Sequence, residues 1–443
     1  MSGLTTKNMS TIVEKSLFQQ LTSTFQELES SNETAAVTAI RAEAFARFQE
    51  LGFPTLKNED WKYTNIQNLV NKTYLLNQDV DVATLDLSAA DIPLLDAHRI
   101  VLINGQYVLA FSSLEDEIGL TVKPIEEAQE EVSFQKHFAK HADKTGSSMV
   151  ALNTALHTSG IYLEVAKNKV LTKPIQVVHV ATGADDFFAQ TRNLYVLSAN
   201  SQAEIIENFI TIGQPAFNLN NKVTEVILEE NAKMQHYYLQ LASAQSHYVN
   251  HTEVYQAKNS LYNNYNCNFP GVAFVRNDIN VRLDDENVES HLYGINLLAD
   301  NQFVDNHTVV DHMKPHCESY EWYKNIPQDQ STAVFNGKIF VREDAQKTNA
   351  FQQNNNMLIG DKSTVFTKPQ LEIFADDVKC SHGCTMGQFD DEALFYLRSR
   401  GIGEESARIL LVHAFAFDVT SRFNNEVIRH YVEQLVAKGL EPK

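Results

Sequence analysis

The stretch IYLEVAKNKVLTKPIQVVHV, residues 161–180, alternates apolar and polar side chains, is punctuated by Lys173-Pro174, and resumes as a second apolar run. Alternation at a period of two marks a strand with one buried face. The pattern continues through RNLYVLS (192–198), AEIIENFITI (203–212), KVTEVILEENAKMQHYYLQL (222–241), HTEVYQA (251–257), VAFVRNDINVRL (272–283) and SHLYGINLL (290–298), then STAVFNGKIFV (331–341) and STVFTKPQLEIF (363–374). Strand-like runs at roughly 8–12 residue spacing with no helical period between them indicate a sandwich, a barrel or a solenoid. Length decides among these. The run from Gly160 to about Val378 exceeds two hundred residues, too long for an ordinary sandwich, so the reading is a mainly β protein built on a stacked β-solenoid. Asparagine clusters at Asn263, Asn264, Asn266 and Asn268, and at residues 354–356, suit such a stack, because amides at its turns can form side-chain ladders. No strict repeat motif is visible.

Both flanks read as helical. Leu17, Leu21, Phe25 and Leu28 form one apolar stripe and Ile40, Ala44, Phe48 and Leu51 another, with Gly52 and Pro54 as a stop. Trp61 and Tyr63 follow among charges and read as packing anchors. RIVLINGQYVLAF (99–111) sets Asn104-Gly105 between two β-rich runs, a hairpin signal. Helical stretches are expected over residues 126–143 and 149–156. Beyond the solenoid, Asp390 can cap a helix bearing Leu394 and Leu397 that Gly401 ends. Ala407, Leu410, Leu411, Ala414 and Phe415 give a second helix its apolar face, and Val427, Ile428, Tyr431 and Leu435 a third. The expected divisions are a helical region over 1–97, a mixed connecting segment over 98–159, the solenoid over 160–384 and a helical region over 385–443.

Of 443 residues, 36 are Lys or Arg and 56 are Asp or Glu, a net charge of −20. That balance opposes binding to nucleic acid or an anionic membrane, both of which require a basic surface. The opening residues show no apolar core of a signal peptide, and no segment approaches the ~20 apolar residues of a membrane span. A cytoplasmic location is expected. Four cysteines, Cys267, Cys317, Cys380 and Cys384, are too scattered for a disulfide framework and lack the spacing of a resident iron–sulfur cluster.

The chemistry-bearing motif is DDVKCSHGCTMGQFDDEALFYLRSRGI, residues 376–402. On an extended segment Cys380, His382 and Cys384 fall on one face, and imidazole with thiolate suits iron, zinc or copper. Three such groups leave a coordination position open, an incomplete metal site. Thiols acting as small buried hydrophobes, with a satisfied histidine between them, are the alternative. A second candidate, His307, His312, His316 and Cys317, fails on geometry. His307 and His312 point to opposite faces of a strand, and Pro315 breaks the helix that would align His312 with His316. Asp278, Arg282, Asp284 and Asp285 are the residues that a β-solenoid polysaccharide hydrolase or lyase would use, though −20 repels a polyanion. The metalloprotease, P-loop and nucleophile-elbow motifs are missing, as is the dinucleotide-binding glycine pattern.

The 376–402 block, with FNGKIFVREDAQKTNAFQQNNNMLIG (335–360) and TKPQLEIFADD (367–377) before it and EDWKYTN (59–65) near the start, resembles the SufB/SufD family of iron–sulfur cluster assembly scaffolds. SufB-like members usually carry a cysteine and an acidic residue in the segment matching NNNMLIG, and a glutamate after the motif histidine. Here Asn355, Asn356 and Met357 stand in the first place and Gly383 in the second, which places the likeness on the SufD side. The resemblance implies a right-handed parallel β-helix between helical ends and a chain that is not itself an enzyme. It implies that His382, with Cys380 as a second contributor, helps hold a transient cluster at an interface with a SufB-like paralogue. Cys384 departs from the family pattern, which usually has alanine there. The resemblance further implies a SufC-like ABC ATPase docked on the C-terminal helices, so that no nucleotide binds this chain. It also implies a flavin associated with the whole assembly, and self-association of the isolated chain through the SufB-facing surface. A self-contained zinc protein using Cys380, His382 and Cys384 is the remaining rival.

Overall fold

The computed structural model describes residues 16–28, 33–76, 85–115, 117–142, 146–388 and 390–440. The expectation about a signal core falls on residues 1–15, outside these. Eight coils, each one strand of a nine-stranded and one of a ten-stranded sheet, run from Ile161–Val165 to Lys379–Gly387. Every pairing between coils is parallel and in register, as in Glu318–Pro327 against Asn349–Met357. The solenoid reading therefore holds.

What makes the chain coil is visible at one corner. Asn168, Asn200, Asn231, Asn259 and Asn287 recur at intervals of 28 to 32 residues, each with φ between 57° and 63°. Asparagine tolerates this left-handed conformation better than any other side-chain-bearing residue save aspartate. Their amides also bond from coil to coil, Asn200 Nδ2 to Asn168 Oδ1 at 2.7 Å, Asn231 to Asn200 at 2.8 Å and Asn259 to Asn231 at 3.0 Å. His316 and Lys347 take the next two positions. The repeat that no strict motif announces is thus one residue per coil. The asparagines singled out for turns lie instead in the strands Leu261–Asn268 and Asn349–Met357. Asn268 and Asn356 of these strands, with Asn296 and Asn325 between them, make a second, buried ladder with amide contacts of 2.6 to 2.7 Å.

Inside the coils lies an aliphatic core that includes Ile161, Ile175, Val226, Val281 and Ile339. Each sheet's outer face is covered separately. Helices Leu17–Leu28, Ala35–Leu51 and Ser148–Leu156 pack with Trp61 on Phe188, Leu219, Val249 and Phe274 of the nine-stranded sheet. Helices Glu404–Thr420 and Glu426–Lys438 lay Val412, Ala416, Val419, Ile428 and Val432 on Tyr237, Tyr265 and Ile295 of the ten-stranded one. Trp61 stacks on the Arg276 guanidinium at 4.0 Å and Tyr63 on Phe366 at 4.6 Å, the anchoring role read from sequence. The Asn104-Gly105 hairpin forms between His98–Ile103 and Gln106–Tyr107. Residues 126–142 are less helical than expected, with one short helix at Val132–His137.

The apolar face assigned to Glu404–Thr420 needs correction. Ala407 is buried and Phe415 packs on the core, but the remaining contacts are made by Val412, Ala416 and Val419, while Leu410 is 48% exposed.

Candidate functional site

The last strand, Lys379–Gly387, pairs with Asn349–Met357 on one side only, and Thr364–Ile373 ends the other sheet in the same way. Register fixes which side chains face the interior. Cys380, His382, Cys384 and Met386 stand over Ala350, Gln352, Asn354 and Asn356, all four of which are buried. The strand therefore continues four interior rows, with nothing stacked above it among the described residues. Consequently His382, Cys384 and Met386 are exposed and Cys380 is half-buried against the aliphatic core. Burial pushes the Cys380 thiol up, although a backbone hydrogen bond with Ala350 acts the other way.

The three expected donors share a face, but the strand's length limits what they can hold. At ~3.3 Å per residue, Cys380 and Cys384 stand about 13 Å apart, too far for both to reach one ion at thiolate bond lengths of ~2.3 Å. Neighbours two residues apart, at about 6.6 Å, can converge. Among the described residues no three His, Cys, Asp or Glu side chains are grouped to hold a metal ion. The self-contained zinc reading therefore has no ligand set here. Cys384 Sγ lies 3.6 Å from Thr367 Oγ1 of the facing sheet and 3.8 Å from Asn356 Nδ2.

Beneath His382 the interior is polar. Gln352 Nε2 donates to Glu321 Oε2 at 3.0 Å, and Thr308 Oγ1 donates to the same oxygen at 2.8 Å. With no cation beside it, burial pushes the Glu321 carboxyl up to about 7. Glu321 Oε1 and Gln352 Oε1 are buried without hydrogen-bond partners. Sequence reading missed these two and Met386. Counting two residues at a time along three strands of the coil would have placed all of them in the rows of the motif.

The other candidates disperse. His307 faces outward and meets Asp305 at 3.0 Å. His312 faces inward to Ser319 at 2.9 Å and burial holds it down to about 3. His316 occupies the left-handed corner, and the buried Cys317 thiol is pushed up to about 11. Asp278 is held by Arg276 at 2.8 Å and Asp284 by Arg282 at 2.8 Å, along a cleft of about 620 Å³ between the N-terminal segment and the nine-stranded sheet. Those charges are paired with one another.

The C-terminal helices leave a second open surface. Asp390 caps Asp391–Ser399 by accepting from the Glu392 and Ala393 amides, and Gly401 at φ 87° ends it. Phe395, Tyr396, Leu410 and Phe417 are exposed, and a groove lined by Ala414, Ala416, Phe417 and Val436 runs between the last two helices.

Comparison with known proteins points to a single family. Residues 179–415 match the family model described as SUF system FeS cluster assembly, SufBD core domain, and residues 13–177 match the SufBD protein N-terminal region. The chain is 31% identical to the iron-sulfur cluster assembly protein SufD of Escherichia coli, over 88% of this chain and 90% of that one. It is 30% identical to an iron-sulfur cluster assembly SufBD family protein of Synechocystis, over 93% of each. The SufD of Bacillus subtilis is 25% identical over 93% of this chain and 96% of its own.

Proposed function

The chain belongs to the SufB/SufD family of the SUF iron–sulfur cluster assembly system, on its SufD side, and from that premise we propose that it serves as one half of a two-scaffold cluster site. The observation that carries this is the uncovered last coil. Two strand edges, Thr364–Ile373 and Lys379–Gly387, end together with their outward amides and carbonyls unpaired by any further strand among the described residues. A bare edge is a ready template for pairing with another chain, and natural proteins otherwise blunt or cover it. His382 and Cys380, in the rows those edges expose, are the donors this half brings, and a SufB-like paralogue supplies the rest. The cluster is cargo: it is built across the junction and handed on.

The finer assignments follow the same logic. Residues 160–384 are the scaffold body, the described parts of 1–97 and 98–159 cover its outer faces and first coil on both sheets, and 385–443 form the arm for a SufC-like ATPase. Phe395, Tyr396, Leu410 and Phe417 give that arm an apolar surface of the kind that marks protein contacts. Nucleotide turnover then belongs to the partner, and this chain performs no reaction alone. Closure of two attached ATPases would strain the junction between scaffolds and open or assemble ligands divided across it. A reduced flavin, if the assembly uses one, binds to the complex. No helix of the described residues is long and apolar enough to cross a membrane, in keeping with a cytoplasmic assembly.

Co-expression with SufB-like and SufC-like chains tests the proposal. A stable three-component complex that gains cluster is the expected result, and Phe417→Asp with Leu410→Asp should release the ATPase while leaving the two scaffolds paired. Failure of the wild-type chain to retain either partner would overturn it.

A further inference from the structure

We infer that the cleft between the N-terminal segment and the nine-stranded sheet binds a short zwitterionic peptide, two or three residues long. Its volume of about 620 Å³ is that of a small-molecule site. The floor consists of outward side chains from four successive coils, on strands Ser246–Gln256, Phe274–Leu283, Phe303–His312 and Thr332–Val341. Most of its charge is matched internally, Arg276 with Asp278 at 2.8 Å and Arg342 with Asp311 at 2.7 Å. Two groups stand apart. Lys338 has no hydrogen bond or ion pair among the described residues, and its ammonium lies 5.7 Å from the Phe340 ring. Glu59, on the N-terminal wall, is held by Lys368 at 2.8 Å instead. Glu253 accepts from His251 Nε2 at 3.0 Å and from Asn280 Nδ2 at 3.1 Å on Oε2 alone, which leaves Oε1 without a donor among the described residues.

These two charges close opposite ends of one row. Glu253, Asn280, Val309 and Lys338 follow one another in register across three strand pairings. At ~4.8 Å per pairing their backbones stand about 14 Å apart. An extended peptide covers ~3.3–3.6 Å per residue, so two or three residues with a hydrogen bond at each end bridge that distance. Between the charges lie only an amide and a small aliphatic side chain.

A second observation supports the same two ends. His251 Nδ1 and Asn336 Oδ1 are buried without a partner, both residues line the cleft, and His251 is 5% exposed. Buried polar atoms are seldom left unpaired. A carboxylate only accepts, so His251 donates through Nε2 and keeps Nδ1 as an acceptor. His251 stands two residues before Glu253, and Asn336 two before Lys338, so each charge has an unused acceptor beside it on the same face. A peptide's α-ammonium brings several N–H donors for Glu253 and His251. At its other end the carboxylate meets Lys338, and the neighbouring amide N–H meets Asn336. A simple anion would satisfy Lys338 alone, and a neutral sugar neither charge.

Titration calorimetry of the full purified chain with triglycine tests this, beside N-acetyl-triglycine and triglycine amide, each of which lacks one terminal charge. Triglycine should bind with a Kd of about 1 mM or below, and each blocked form at least about tenfold more weakly. Lys338→Met should no longer distinguish triglycine from its amide, and Glu253→Gln should no longer distinguish it from the N-acetyl form. Circular dichroism checks that both variants keep their fold, and the blocked peptides test the wild type without any substitution. No binding of triglycine, equal binding of the blocked forms, or unchanged discrimination in both folded variants overturns the inference. None of these readouts involves cluster or partner, so the scaffold reading stands or falls separately.

Discussion

At its first coil the solenoid is closed off by small strands: Gln106–Tyr107 beyond His98–Ile103 on one sheet, and antiparallel Leu120–Pro124 against Ile161–Val165 on the other. The interior rows there are Ile100, Leu102, Ile161 and Leu163, all 0% exposed. At its last coil nothing follows Thr364–Ile373 and Lys379–Gly387 among the described residues; the row of Leu163 ends in Leu371, the rows of Ile100 and Leu102 end in Cys384 and Met386, and Cys380 and His382 stand beside these on the same strand. One repeat thus gives a sealed, aliphatic end and an open end lined with metal-binding groups. In a stacked fold each coil is stabilised by its neighbours, so chemistry that needs exposure is confined to where the stack stops.

If that contrast is right, substitutions at the closed end should unfold the protein and those at the open end should leave stability alone. The largest effect is expected at Glu225, on the third coil beneath the N-terminal cover, which accepts from Arg192 Nη2 at 2.7 Å and from the Ala139, His141 and Ala142 amides at 2.8 to 3.1 Å. Glu225→Ala strands a fully buried guanidinium and should cost about 3–5 kcal/mol in denaturant melts. A loss below about 1 kcal/mol would mean the covered coils toward the closed end are not held as described.

Glu321 sharpens the comparison, because it lies between the two regimes. Its folded value of about 7 stands above the 4.5 of a free carboxyl, so its contribution is fully present below about pH 4.5 and is lost as pH rises through 7. Glu321→Gln should therefore stabilise the chain by about 3 kcal/mol near pH 8 and by little near pH 5. Equal effects at both pH values would show that the carboxyl has a counter-charge or ready access to water. Asn325, midway in the buried ladder, should cost about 1–3 kcal/mol on replacement by alanine, since the Asn296 and Asn356 amides each lose a partner. Thermal unfolding of that variant at unchanged temperature would remove the ladder from the account.

The solenoid was legible because alternation sustained over more than two hundred residues outruns any ordinary sandwich. The motif's shared face was legible too, since three residues at spacing two on a strand must agree in direction. The coil length escaped notice because it is written in single left-handed asparagines, with strand composition varying freely between them. The limit on the half-site was also missed: a shared face says nothing of reach, and about 13 Å separates the two thiols. The third helix's stripe came through in Ile428, whereas Leu410 misled, because an amphipathic face turned to a partner looks in sequence like one turned to the core.

His382 decides the matter most directly. His382→Ala should lie within about 0.5 kcal/mol of wild type in stability, as an exposed side chain with no structural role. Co-expressed with SufB-like and SufC-like chains, it should still form the complex yet assemble little or no cluster, as read by the visible absorbance of the purified assembly. Cluster at the wild-type level in that intact complex would contradict the claim that the open coil is the working end.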